Sequence, residues 1–150
     1  MDCSEKRYDS LRLSNQLCFP LYAAAKEVVR NYKPFLDPLD LTYTQYLTML
    51  VLWERREITV KELGELLWLD SGTLTPVLKK LESKGCLLRR RSDEDERSVI
   101  LLLTEQGETL REKALSVPSH ASSCVRLTGE EAEELCRLLH KILAGMRPED

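Results

Sequence analysis

The 150-residue sequence contains no apolar run long enough to cross a bilayer and no basic-plus-apolar leader at its start. A cytoplasmic protein with no membrane partner is therefore expected. The means of building a structural metal site are also missing. Five cysteines (Cys3, Cys18, Cys86, Cys124 and Cys136) form no close pair with zinc-site spacing, and the only histidines are His120 and His140. No metal and no cofactor is expected. In a reducing compartment each thiol is packing material unless its surroundings make it reactive. Repeats and low-complexity tracts are absent, and the length suits one domain, 1–150, rather than two.

What is present is unevenly charged. The formal balance of -3 says little about a nucleic-acid partner. Residues 79–91, however, carry Lys79, Lys80, Lys84, Arg89, Arg90 and Arg91 against Glu82 alone, whereas residues 105–150 are net acidic. A basic centre beside an acidic tail fits a DNA-facing element joined to an assembly element.

Periodicity supplies the elements. Leu17, Leu21, Ala24, Ala25, Val28 and Val29 predict a long amphipathic helix from Leu13 to about Phe35, disturbed near Pro20 and ended around Lys33 and Pro34. After the turn Pro38-Leu39-Asp40, Thr42 caps a second helix reaching about Glu54. Residues 55–57 read as a polar break. Thr59 and Glu62 have capping-box spacing before a helix over 60–67. Asp70-Ser71-Gly72-Thr73 then reads as turn and cap for a helix that buries Leu74, Val77, Leu78 and Leu81 and stops at Gly85. Pro76 should bend that helix. Segments 86–91 and 98–103 flank a charged turn and predict an antiparallel ribbon. Thr104 caps a further helix, Pro118 and Ser119 break it, and Thr128 with Glu131 starts a terminal helix. The fold class is mainly α with a small antiparallel β wing. A winged helix-turn-helix lobe over 42–104 is flanked by helical dimerisation elements at 13–36 and 105–146.

A helix in the major groove projects side chains onto base edges. Ser71, Thr73, Thr75, Lys79 and Lys80 lie off the apolar face and are the candidates on this helix. The ribbon brings Arg89, Arg90 and Arg91 into a turn with Arg97 beyond it, suited to a minor-groove guanidinium supported by phosphate contacts. Among the acids of the turn, Asp95 is expected to orient an arginine through a charge-assisted bond. A solvated helix and a solvated acidic turn are the plain alternatives.

Residues 13–110 resemble the MarR-type winged helix-turn-helix regulators, and more specifically their organic-hydroperoxide-sensing branch. Three segments carry most of the resemblance: Leu17-Cys18-Phe19-Pro20-Leu21-Tyr22, Leu41-Thr42-Tyr43-Thr44-Gln45-Tyr46-Leu47, and Leu69-Asp70-Ser71-Gly72-Thr73-Leu74-Thr75-Pro76. Asp95-Glu96-Arg97 followed by Leu101-Leu102-Leu103-Thr104 resembles the descending edge of the wing. Pro20, Thr44 and Trp68 depart from the common pattern. The resemblance implies a homodimeric, non-enzymatic repressor on a pseudopalindromic double-stranded DNA operator, with an organic hydroperoxide as effector. It further implies that Cys18 is the reactive thiol and that Tyr32 and Tyr43 bond to it.

Fourteen residues of straight helix span about 21 Å, so Tyr32 cannot reach Cys18 of its own helix; a crossed partner helix can. A Cys18 thiolate would attack the peroxide to give a sulfenic acid, which a second thiol condenses into a disulfide. The family's resolving position matches Cys124, with Cys136 as the alternative. Cys86 reads as packing and Cys3 as incidental. Three other functions remain open at this point: release by a small aromatic ligand with Cys18 merely lining the cavity, a thiol peroxidase, and a noncatalytic interaction module.

Overall fold

The computed structural model describes residues 8–146 apart from Glu96, so Cys3 and Glu96 lie outside the described residues. Among the described residues, seven α-helices follow in order: α1 (Cys18–Leu36), α2 (Tyr43–Arg55), α3 (Val60–Leu67), α4 (Ser71–Ser83), α5 (Glu105–Ala114), α6 (Val117–Ser123) and α7 (Gly129–Ala144). Three short strands, β1 (Glu57–Thr59), β2 (Leu87–Arg91) and β3 (Val99–Leu103), form an antiparallel sheet in the order β1-β3-β2. The ribbon register sets Leu87 opposite Leu103 and Arg91 opposite Val99. None of the described helices is long and apolar enough to cross a membrane.

Five of the seven described helices start on a hydroxyl or carboxylate cap. Thr42 with Gln45, Thr59 with Glu62 and Thr128 with Glu131 each form a reciprocal capping box. The Asp70 carboxylate accepts from the Thr73 backbone N–H at 2.8 Å, and Thr104 caps α5 by accepting from Gly107. Gly85, at φ 71°, turns the chain out of α4 into the wing, in a conformation that favours glycine.

Four expectations are corrected. The first helix starts later than Leu13, because residues Asp9–Leu11 and Leu13–Asn15 form 3-10 turns. Pro20 therefore falls in the first turn of α1, where its missing N–H would have had no partner, and Pro34 is carried inside the helix. The supposed polar break is strand β1, paired through Ile58 with Leu101 of β3. The break expected at Pro118 and Ser119 falls just before them: α5 ends at Ala114 and Pro118 lies in the first turn of α6. Pro76 is likewise carried inside a helix, α4 (Ser71–Ser83).

The core lies where α2, α3 and α4 meet the sheet. Met49, Leu52, Leu63, Leu74, Leu81 and Leu101 are all at most 1 % exposed. The start of α5 is pinned to this core. The Trp53 indole N–H donates to the Gly107 carbonyl at 2.8 Å, and the Arg56 guanidinium holds Glu108 at 2.5 and 3.1 Å. A Cβ at Gly107 would overlap the Cys86 carbonyl oxygen. By contrast, α7 buries no residue within the chain, and α1 buries only Leu36. Phe19, Leu21 and Val29 on α1, with Leu135 and Leu138 on α7, stand exposed.

Candidate functional site

Two groups of residues stand apart from the core, one on the sheet side and one on the α1 side. On the sheet side, α3, α4 and the ribbon enclose an open groove of about 1000 Å³, lined by Trp68, Ser71, Thr75, Arg89, Arg97 and Ser98 among others. Burial of Leu74, Leu78 and Leu81 turns the opposite face of α4 outward, so Ser71, Thr73, Thr75, Lys79 and Lys80 are all exposed. The two threonine hydroxyls already donate inside the helix: Thr73 to the Asp70 carboxylate at 3.0 Å and Thr75 to the Ser71 carbonyl at 2.7 Å. With their protons engaged, they present acceptor lone pairs outward, suited to amino groups on base edges and unsuited to phosphate.

Charge on this side is mostly unpaired. Among the described residues, Lys79, Lys80, Arg90, Arg91 and Arg97 have no ion-pair partner, whereas Arg89 is held by Glu82. The Asp95 expectation is corrected: its carboxylate accepts from the Arg97 backbone N–H at 3.0 Å, not from a guanidinium. A separation of two residues suits that local turn, and Asp95 shapes the tip of the wing by it. Bonds from the Glu94 and Asp95 N–H groups to the Ser92 hydroxyl complete the turn.

On the α1 side, Cys18 is the first residue of its helix and is exposed. Tyr32, fourteen residues later, packs its ring edge-on against Tyr43 with centroids 4.9 Å apart, and Tyr46 lies 6.0 Å from Tyr32. Burial pushes the Tyr43 and Tyr46 hydroxyls above the ordinary tyrosine range, and the neighbouring Tyr32 adds to both shifts. One helical turn beyond Tyr32, Phe35 stacks on His120 of α6 at 5.0 Å. Cys124 follows α6 directly, is exposed, and its Sγ approaches the His120 carbonyl at 3.6 Å. Within one chain, Cys124 thus lies at the tyrosine end of α1, while Cys18 occupies the far end, about 26 Å away by helix rise. Cys18 is brought to none of Tyr32, Tyr43 or Cys124 of its own chain. Cys136 is exposed on α7, and Cys86 is buried behind the wing, where desolvation raises its thiol pKa.

The sequence reading missed two features here. Tyr46 joins the tyrosine pair, although its position on the buried face of α2 reads only as core. His120, stacked on Phe35, carries no local signal, because the segment around Pro118 reads only as a helix break.

Comparison with known proteins agrees with this layout. A family model described as "Transcriptional regulator SarA/Rot" matches residues 30–114. The organic hydroperoxide resistance transcriptional regulator of Bacillus subtilis is 49% identical over 139 residues, covering 93% of this chain and 95% of that protein. Reduced AbfR bound to DNA superposes with a TM-score of 0.77 at 34% identity, covering 93% of this chain and 96% of that one. Disulfide-formed AbfR gives a TM-score of only 0.61 at 36% identity, covering 95% and 97%. The reduced form of MarR from E. coli gives 0.68 at 30% identity, covering 85% and 96%.

Proposed function

This chain belongs to the MarR-type winged-helix regulators, in the branch of the organic hydroperoxide resistance regulators, and on that premise we propose a homodimeric DNA-binding repressor switched by oxidation of Cys18. The observation that carries the reading is the split of the thiol site along α1, with Cys18 at one end and Tyr32, Tyr43 and Cys124 at the other. Crossing two copies of α1 head to tail brings the Cys18 of each subunit to the tyrosines and Cys124 of its partner. The exposed apolar faces of α1 and α7 are what such a crossing would cover.

The chemistry then proceeds in two steps. The Cys18 thiolate attacks the O–O bond of an organic hydroperoxide; an S–O bond forms, the O–O bond breaks, and the alcohol leaves with a proton. Cys18 is now a sulfenic acid. The partner's Cys124 thiol displaces that oxygen as water, and an intersubunit disulfide forms. A disulfide needs its Cα atoms within about 7 Å, and forming it across the interface would pull on the terminal layer. Both lobes are carried with that layer and lose the spacing needed to enter successive major grooves together. The lower TM-score against disulfide-formed AbfR than against its reduced, DNA-bound form fits a chain in the binding-competent arrangement.

In the reading lobe, 42–104, Ser71, Thr73 and Thr75 face base edges and Lys79, Lys80 and Arg91 hold phosphate. Arg97 enters the minor groove from a turn shaped by Asp95. The elements at 13–36 and 105–146 form the assembly layer.

Mass spectrometry after stoichiometric cumene hydroperoxide tests the reading. A Cys18–Cys124 crosslink in the parent, and only a Cys18 acid in Cys124→Ser, is the expected pattern. An unreactive Cys18 would favour release by a small ligand, and retention of the crosslink in Cys124→Ser but not in Cys136→Ser would make Cys136 the resolving thiol.

A further inference from the structure

Arg89 is the one basic residue of the reading face that is already engaged among the described residues. Its Nε and one terminal nitrogen contact a single Glu82 oxygen at 2.8 and 2.5 Å, and its backbone N–H donates to the other oxygen at 3.1 Å. Both side chains are about two-thirds covered, at 32% and 31% exposure. Glu82 lies in the last turn of α4, and Arg89 is the middle residue of β2. One carboxylate thereby bridges the reading helix and the base of the wing.

A negative charge at this point opposes DNA binding through the phosphates, and Glu82 is the only acid within the basic run 79–91. We propose that Glu82 is a positioning residue for operator recognition, fixing the angle between α4 and the wing through Arg89, and that Arg89 is not a phosphate contact. The ribbon needs such a fixture. The chain leaves α4 through Gly85, and the ribbon that follows has Leu88, Arg90 and Arg91 all exposed. With the bridge closed, Arg97 stands across the groove from Ser71 and Thr75 at a set distance, so major- and minor-groove contacts are made together. Without it each contact remains possible singly, but their simultaneous geometry is lost.

This inference rests on the DNA-binding reading and is separable from it. The full-length reduced protein first selects an operator from a randomised duplex pool. Binding to that operator and to an unrelated duplex is then measured across a salt series for the parent, Glu82→Ala, Arg89→Met and the double variant. Each single variant should lose operator affinity on the order of tenfold, about one charge-assisted hydrogen bond. Affinity for unrelated DNA should hold or rise in Glu82→Ala. The salt slope of Arg89→Met should match the parent, and the double variant should be no worse than either single one. Peroxide oxidation of Cys18 at the parental rate identifies each variant as folded and dimeric.

The assignment is overturned if Arg89→Met flattens the salt slope by about one phosphate contact while Glu82→Ala tightens binding to every duplex. Arg89 would then be a phosphate ligand that Glu82 merely competes for. Additive losses in the double variant would also overturn it. If the parent enriches no duplex at all, the DNA-binding reading fails first and takes this assignment with it.

Discussion

The residues proposed to act in this protein differ in how openly the sequence displays them. Cys18 is visible through its neighbours Leu17, Phe19, Leu21 and Tyr22, because a motif read along the chain keeps adjacent residues adjacent. Cys124 was reached only through resemblance, since its place beside Phe35 and His120 is a tertiary contact with no local pattern. The Arg89–Glu82 pair was hidden for a similar reason, its two members lying seven residues apart across the Gly85 turn.

The tyrosine cluster gives a direct residue-scale test. Tyr43 and Tyr46 have hydroxyls raised above the ordinary value by burial and then by Tyr32. A group raised in the folded state stabilises the fold fully below its unfolded pKa and loses that contribution as pH rises through the folded pKa. Tyrosinate absorbance should therefore show two late-ionising tyrosines, with thermal stability falling over the same alkaline range. All five tyrosines titrating together, with no loss of stability, would contradict the packing described for this cluster. Arg97→Ala should weaken operator binding by about 1–3 kcal/mol, whereas Lys80→Ala should weaken all duplexes alike and reduce the salt slope by about one. Unchanged affinity in a folded Arg97→Ala protein would remove the minor-groove assignment.

At the scale of elements, capped helices and the long periodic α1 were legible, and the short α6 was not. The Thr59–Glu62 and Thr128–Glu131 boxes fix their helices from four residues of sequence, because the cap chemistry is local. Strand β1 has only three residues and no alternation to read; its pairing with β3 makes it a strand. The junction of α5 with the wing depends on Gly107 in a way that is invisible in one dimension. Any side chain there meets the backbone of Cys86. Gly107→Ala should cost about 1–3 kcal/mol of stability, measured by denaturant unfolding. A midpoint indistinguishable from the parent would show that the α5 start is not clamped to the lobe as described.

At the scale of the molecule, a single chain holds one winged lobe and half of the proposed thiol site. Its assembly layer is unfinished by itself, with α7 burying nothing in its own chain and the exposed face of α1 needing a partner. The account therefore stands or falls on whether one thiol controls a two-lobed grip on DNA. The most direct measurement is operator affinity before and after mild organic hydroperoxide, for the parent and for Cys18→Ser, with non-reducing electrophoresis of the same samples. The parent should release DNA as a linked dimer appears, and a reductant should restore binding. Cys18→Ser should bind equally well before and after peroxide and form no linked dimer. Full peroxide-driven release by Cys18→Ser would contradict the central claim and leave only the winged DNA-binding fold.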